Sequence, residues 1–96
     1  MYLVRDCFQL KFGAFREAHE LVKDAKSQQL FPEGNSRILS DFTGASYRLI
    51  FEIQFDSLSD YEKNLSEGMR AKEWQDWYQK FKPLIVSSER EILKIH

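Results

Sequence analysis

The chain reads as an α+β domain ordered β-α-β-β-α-β. Three observations carry that reading: strand-type alternation at both ends and in the middle, two regions of helical periodicity, and a hairpin closed around a glycine. Residues Tyr2 to Lys11 place Tyr2, Val4, Phe8 and Leu10 on one parity and Leu3, Arg5, Cys7 and Gln9 on the other, a strand with one richer face. From Gly13 the period becomes helical. Ala14, Phe15, Ala18, Leu21, Val22 and Ala25 form one stripe opposite Arg16, Glu17, Glu20, Lys23 and Asp24, and the helix is expected to end near Lys26 or Ser27. Pro32 and Gly34 make the connection from Gln28 to Asn35 irregular.

The hairpin is expected over Ser36 to Phe42 and Tyr47 to Phe55, closed by Thr43-Gly44-Ala45-Ser46. If Phe42 pairs with Tyr47, then Ser40 meets Leu49, Ile38 meets Phe51 and Ser36 meets Ile53, and this more apolar face lies under the helices. The other face then pairs Asp41 with Arg48, Leu39 with Ile50, and Arg37 with Glu52. Each opposed charge pair stabilises a sheet by only about 0.2–1 kcal/mol, so the apolar pair between them is the informative feature. Solvated strands favour Thr and Lys over Leu39, Ile50 and Cys7 together, so a second copy of the chain is expected to cover this face; a solvated face that merely avoids like-charge neighbours is the alternative.

After the hairpin, Ser57 with Asp60, and Ser59 with Glu62, have capping-box spacing and start a helix. Its stripe is Leu58, Tyr61, Leu65 and Met69, and Gly68 is expected to break it. A second stripe follows in Ala71, Trp74, Trp77, Tyr78 and Phe81, which Pro83 should end or kink. The closing run Ser88 to Ile95 alternates weakly and is read as the fourth strand. The order is that of the ferredoxin-like fold: one four-stranded antiparallel-type sheet with helices on one face.

With 96 residues, one domain spanning 1–96 is expected, of a size that often gains from oligomerisation. Fourteen basic and 15 acidic residues give a net charge of −1 with no basic stripe, which argues against a nucleic-acid partner. Apolar runs are too short for a membrane span and no signal segment is evident, so a cytoplasmic protein is expected. A lone Cys7 excludes an internal disulfide, and no Cys/His cluster has metal-ligand spacing. Neither a cofactor nor a metal is expected.

Three segments resemble the small dimeric α+β barrel proteins, and within them the NIPSNAP-like bacterial domains: "VRDCFQLKFGAF" from Val4, "DFTGASYRLIFEIQFDSLSDYE" from Asp41, and the closing "LIVSSEREILKI". The shared features are a strand running into Lys-x-Gly, a glycine hairpin, and a Phe-x-Ser-Leu helix entry at Phe55 to Leu58. Phe12 stands where such sequences often have Pro, and Asp6 where a basic residue is common. The resemblance implies a homodimer in which two sheets face each other, and a cleft between sheet and helices that relatives use for quinol oxygenation, haem degradation or isomerisation. Fold alone does not choose among these.

Tyr61, Trp74, Trp77 and Tyr78 can line such a cleft for a flat aromatic ligand, or can be core. The resemblance implies that an Asn and a Trp of this region orient a phenolic substrate, roles only Asn64 and Trp74 can fill here. No His lies between Leu58 and Pro83, where haem-degrading relatives carry their iron ligand, which argues against that activity. Asp6 interrupts the apolar parity of its strand: it points toward the helices as a desolvated base, is turned outward by a bulge, or meets an arginine. His19, at the edge of the first helical stripe, is a proton acceptor at a cleft mouth or an ordinary surface residue. The function expected is binding of a small hydrophobic or aromatic ligand by a homodimer whose dimer face is Arg37, Leu39, Asp41, Arg48, Ile50 and Glu52. The alternative is a cofactor-independent quinol-type monooxygenase.

Overall fold

Alternation in the first ten residues becomes β1 (Tyr2–Leu10), and Gly13, whose φ of 81° suits a residue without a Cβ, turns the chain into α1 (Phe15–Ser27). The computed structural model describes residues 1–30, 35–44 and 46–96 and, at Met69, the backbone alone. The Pro32–Gly34 connection, Ala45 of the hairpin turn and the Met69 member of the helical stripe therefore lie outside the described residues. Next come β2 (Ser36–Ser40), β3 (Arg48–Phe55), α2 (Leu58–Arg70), α3 (Lys72–Phe81), a single 3-10 turn (Lys82–Leu84) and β4 (Ile85–Lys94). The strands form one antiparallel sheet in the order β2-β3-β1-β4, the ferredoxin-like arrangement.

The hairpin register is the expected one: Ser36 opposes Ile53, Arg37 Glu52, Ile38 Phe51, Leu39 Ile50 and Ser40 Leu49. Its closed end is not. Phe42 and Tyr47 do not pair; Phe42 is fully exposed, and the strands stop at Ser40 and Arg48. The Asp41 carboxylate takes the Arg48 backbone N–H at 3.2 Å and the Arg48 guanidinium at 2.8 Å, replacing the next rung of the ladder. Tyr47 has φ 63°, a left-handed conformation that cannot continue a strand and is costly for a bulky residue. It is held there by its carbonyl, which accepts the Leu10 N–H at 2.7 Å, while its ring lies 5.2 Å from that of Phe12.

Ser57 caps α2 as its spacing requires, the hydroxyl accepting the Asp60 N–H at 3.1 Å. The break comes at Ala71, which is extended, and not at Gly68, which stays helical. Pro83 follows the end of α3 inside the 3-10 turn, where a missing N–H is harmless, and β4 begins at Ile85, three residues before the expected Ser88. Val86 is the extra residue of a bulge, because Leu10 opposes Ile85 and Gln9 opposes Ser87.

The core is Leu10, Ala18, Val22, Ala25, Leu49, Phe51, Trp77 and Phe81. Phe81 is enclosed by the rings of Trp77 at 4.9 Å, Phe8 at 5.2 Å and Phe51 at 5.9 Å. The Trp77 indole N–H donates to the Leu21 carbonyl of α1 at 2.6 Å, so α3 is tied to both the sheet and α1. By contrast, none of the described side chains of α2 is buried.

On the other face of the sheet, one row runs Arg37, Glu52, Arg5, Glu91 across all four strands with alternating charge. Glu52 lies 2.6 Å from Arg37, 3.0 Å from Arg5, and Arg5 lies 3.5 Å from Glu91. The neighbouring row is Leu39, Ile50, Cys7, Glu89. Ile50, expected to stand in water unless a partner covered it, is only 5% exposed in a single chain, as is Glu52. Arg48 and Glu52, two residues away on either side, are tied across the strands to Asp41, Arg37 and Arg5.

Hydrogen bonding to Arg48 holds the Asp41 carboxyl below its ordinary value. A depressed folded-state pKa means that this contribution to stability is present at neutral pH and is lost as pH falls below about 4. Melting temperatures measured between pH 7 and pH 3 should therefore fall less steeply for Asp41→Asn than for the wild type; parallel curves would show that the Asp41–Arg48 pair contributes nothing.

A cleft between the helices and the sheet

The helix-facing parity of β1 is Tyr2, Val4, Asp6, Phe8 and Leu10, so Asp6 points among apolar neighbours as the alternation requires. It does not stand there as a bare base. Arg90, its direct partner on β4, donates from Nε to Asp6 Oδ1 at 2.5 Å and from the outer nitrogen to Oδ2 at 3.4 Å. The other terminal nitrogen of Arg90 donates to the Tyr61 hydroxyl at 2.9 Å, joining β1, β4 and α2. The bond with Asp6 raises the Arg90 pKa further, so the guanidinium remains a cation at any pH the fold tolerates.

This polar array sits at the side of an open cleft with two lobes. The smaller, about 100 Å³, is lined by Val4, Ile53, Phe55, Tyr61, Asn64, Gly68 and Leu30. The larger, about 450 Å³, is lined by Phe8, Tyr78, Ser88 and Glu89. Asp6, Phe51, Leu65, Trp74 and Arg90 line both. The larger lobe alone falls within the roughly 300–1,000 Å³ of small-molecule sites.

Of the residues expected at a cleft, Asp6, Tyr61, Asn64, Trp74 and Tyr78 line it and Trp77 does not. The aromatic stripe divides between two jobs. Trp77 and Phe81 are core, whereas Trp74 and Tyr78 are half-buried and present parallel rings 6.2 Å apart to the open space. His19 is exposed on α1, stacked on Phe15 at 5.7 Å, and does not line either lobe. The sequence reading allowed Asp6 an arginine partner without identifying Arg90, because the alternation of Ser88 to Lys94 fixes its parity and not its register against β1. Leu65, a member of the helical stripe of α2, is a half-buried wall of the cleft.

No family model and no curated protein matches this sequence. Solved structures do match. A NIPSNAP-family protein of unknown function from Agrobacterium tumefaciens superposes with a TM-score of 0.88 at 22% identity, over 99% of this chain and 87% of that one. A NIPSNAP-like domain protein from Burkholderia xenovorans superposes with a TM-score of 0.90 at 16% identity, over 99% and 84%. The chain has the fold of the NIPSNAP proteins. An antibiotic biosynthesis monooxygenase shares the NIPSNAP fold more distantly, with a TM-score of 0.74 at 10% identity over 100% of this chain and 99% of its own. These likenesses agree with the resemblance carried by the β1, hairpin and closing segments, at the level of fold.

Because Asp6 has a cation, removing its charge should weaken the fold. Asp6→Asn is expected to cost about 0.5–1 kcal/mol in denaturant unfolding, a modest sum because Arg90 is half in solvent. In a double-mutant cycle with Arg90→Gln that loss should shrink; a stabilised Asp6→Asn would show that the carboxylate is desolvated without compensation.

Proposed function

We propose that the protein binds a small, flat, hydrophobic or aromatic ligand in the cleft between α2, α3 and the sheet, as a cytoplasmic homodimer. The observation that carries the ligand reading is the cleft beneath α2: this helix buries no described side chain, and the space below it is walled by Phe51, Leu65, Trp74 and Tyr78, with Asp6, Arg90 and Tyr61 gathered at one side. Apolar walls with a few convergent polar groups are the usual make-up of a small-molecule site. Aromatic walls favour a planar occupant.

A second reading is cofactor-independent oxygenation of a quinol-type aromatic. It is favoured by Asn64 and Trp74 lining the same lobe and by the fold shared with an antibiotic biosynthesis monooxygenase. In that reaction a quinol ring C–H gains one atom of dioxygen, the other leaves as water, and the quinol becomes a hydroxyquinone. Oxygen uptake with hydroquinones, abolished in Trp74→Ala, would establish it. Binding of aromatics without oxygen uptake would leave the protein a binding module.

The homodimer is supported by the sheet face away from the helices. Leu39, Cys7 and Leu3 are half-buried there, Leu93 is 43% exposed, and the charges around them alternate in sign, so a two-fold copy can match them without like-charge clashes. The burial of Ile50 within one chain makes Leu3, Leu39 and Leu93 the residues with area left to cover. An obligate interface of this kind commonly buries more than about 1,500 Å² in total.

Light scattering at micromolar concentration should give a dimer. Leu39→Lys should shift it toward monomer, and Glu20→Lys on the outer surface of α1 should not; a folded, monomeric wild type would overturn the assembly. For the cleft, Trp74→Ala should lower the affinity for naphthalene-sized aromatics by about tenfold or more, as expected for an aromatic wall, while His19→Ala leaves it unchanged. Equal affinities in Trp74→Ala and wild type would place any binding elsewhere.

A further inference from the structure

The hydrogen-bond directions at the polar side of the cleft define what a ligand must offer. Arg90 has only N–H donors, so in its 2.9 Å contact with Tyr61 the phenol oxygen accepts. The single hydroxyl proton of Tyr61 is then left to donate elsewhere, and among the described residues no acceptor of the chain takes it. Both oxygens of Asp6 already face the Arg90 guanidinium, which retains one further N–H on each terminal nitrogen. The array therefore presents hydrogen-bond donors to an occupant.

Its charge points the same way. On the helix side of the sheet the ionised groups at the cleft are Asp6 and Arg90, one negative and one positive, while Glu89 belongs to the row on the opposite face. A ligand carboxylate placed against Arg90 would give up its hydration to face a guanidinium already neutralised by Asp6. A cationic ligand would meet the positive ends of the Arg90 N–H and Tyr61 O–H donors. A neutral carbonyl has neither penalty.

Given the ligand-binding reading of this cleft, we infer that it selects a neutral aromatic ligand bearing a carbonyl-type acceptor, seated on the Tyr61 hydroxyl with Arg90 beside it, and rejects a carboxylate of the same shape. Tyr61 is then the residue that reads the acceptor, Arg90 positions Tyr61, and Asp6 sets the charge class.

Four naphthalenes of nearly one shape test this by ligand-observed NMR titration: acetylnaphthalene, ethylnaphthalene, naphthoate and naphthylmethylammonium. The wild type should bind acetylnaphthalene about tenfold tighter than each of the other three, the discrimination expected when a hydrogen bond is made or left unmade in a partly dry site. Tyr61→Phe should remove the advantage of the ketone over ethylnaphthalene and leave the affinity for ethylnaphthalene itself unchanged. Asp6→Asn should move the naphthoate-to-ketone ratio toward naphthoate by about tenfold, and if Asp6→Asn fails to fold, the Tyr61→Phe comparison tests the inference by itself. Equal binding of all four compounds, tighter binding of either ion, or a ketone preference that survives Tyr61→Phe would overturn this inference while leaving the ligand-binding reading intact. Failure of all four to bind would overturn both.

Discussion

The contact on which the rest of the structure depends is the seat of α3. Trp77 reaches from α3 to the Leu21 carbonyl of α1, and Phe81, one turn on, closes against Phe8 and Phe51 of the sheet. These two residues commit one face of α3 to the core and hold α1 and α3 together as a lid over part of β1 and β3. With that attachment made, α2 is defined by its ends: the Ser57 cap where it leaves β3 and the extended Ala71 where it meets α3. Nothing described along its length is driven into the core, and the cleft is the space that follows.

Charge is managed differently on the two faces of the sheet. On the helix side a single carboxylate, Asp6, is placed among apolar groups and met by one guanidinium from the neighbouring strand. Because β4 is an edge strand and mostly exposed, Arg90 can serve that carboxylate and keep part of its head in water, which limits the desolvation cost of the pair. On the opposite side the charges form rows, and Glu52 is buried between two arginines with Ile50 beside it. Four strands of alternating sign make a face that is specific in register and carries only scattered apolar area.

The closed end of the hairpin shows side-chain chemistry overriding strand propensity. Thr43 to Ser46 with their glycine read as a tight turn between two long strands. Asp41 instead turns back on the Arg48 amide, and Tyr47 adopts a left-handed backbone so that its carbonyl can meet Leu10 and its ring can lie against Phe12. The register survives because the rungs from Ser36 to Ser40 are set by which face is apolar, and a one-residue slip would send Ile38, Phe51 and Ile53 to the wrong side.

The amino-acid sequence by itself determined the element order, the hairpin register, the Ser57 cap, the apolar stripe of α1 and the parity that points Asp6 toward the helices, because each depends on neighbours a few residues away or on a simple period of two or 3.6. It also named Asp6, Tyr61, Asn64, Trp74 and Tyr78 as residues able to share a site. Whether they enclosed a filled core or an open cleft was decided only in three dimensions. Trp74 and Trp77 have the same chemistry and nearly the same place in the helical stripe; the difference between a wall and a core residue is the position of α1, more than fifty residues earlier in the chain. Arg90 is the partner of Asp6 for the same reason: strand pairing across 84 residues brings them together, and no local pattern records it. Ile50 is dry within the single chain, beside Glu52 and its two arginines. Periodicity says which way a side chain points, and only the packed chain says what it finds there.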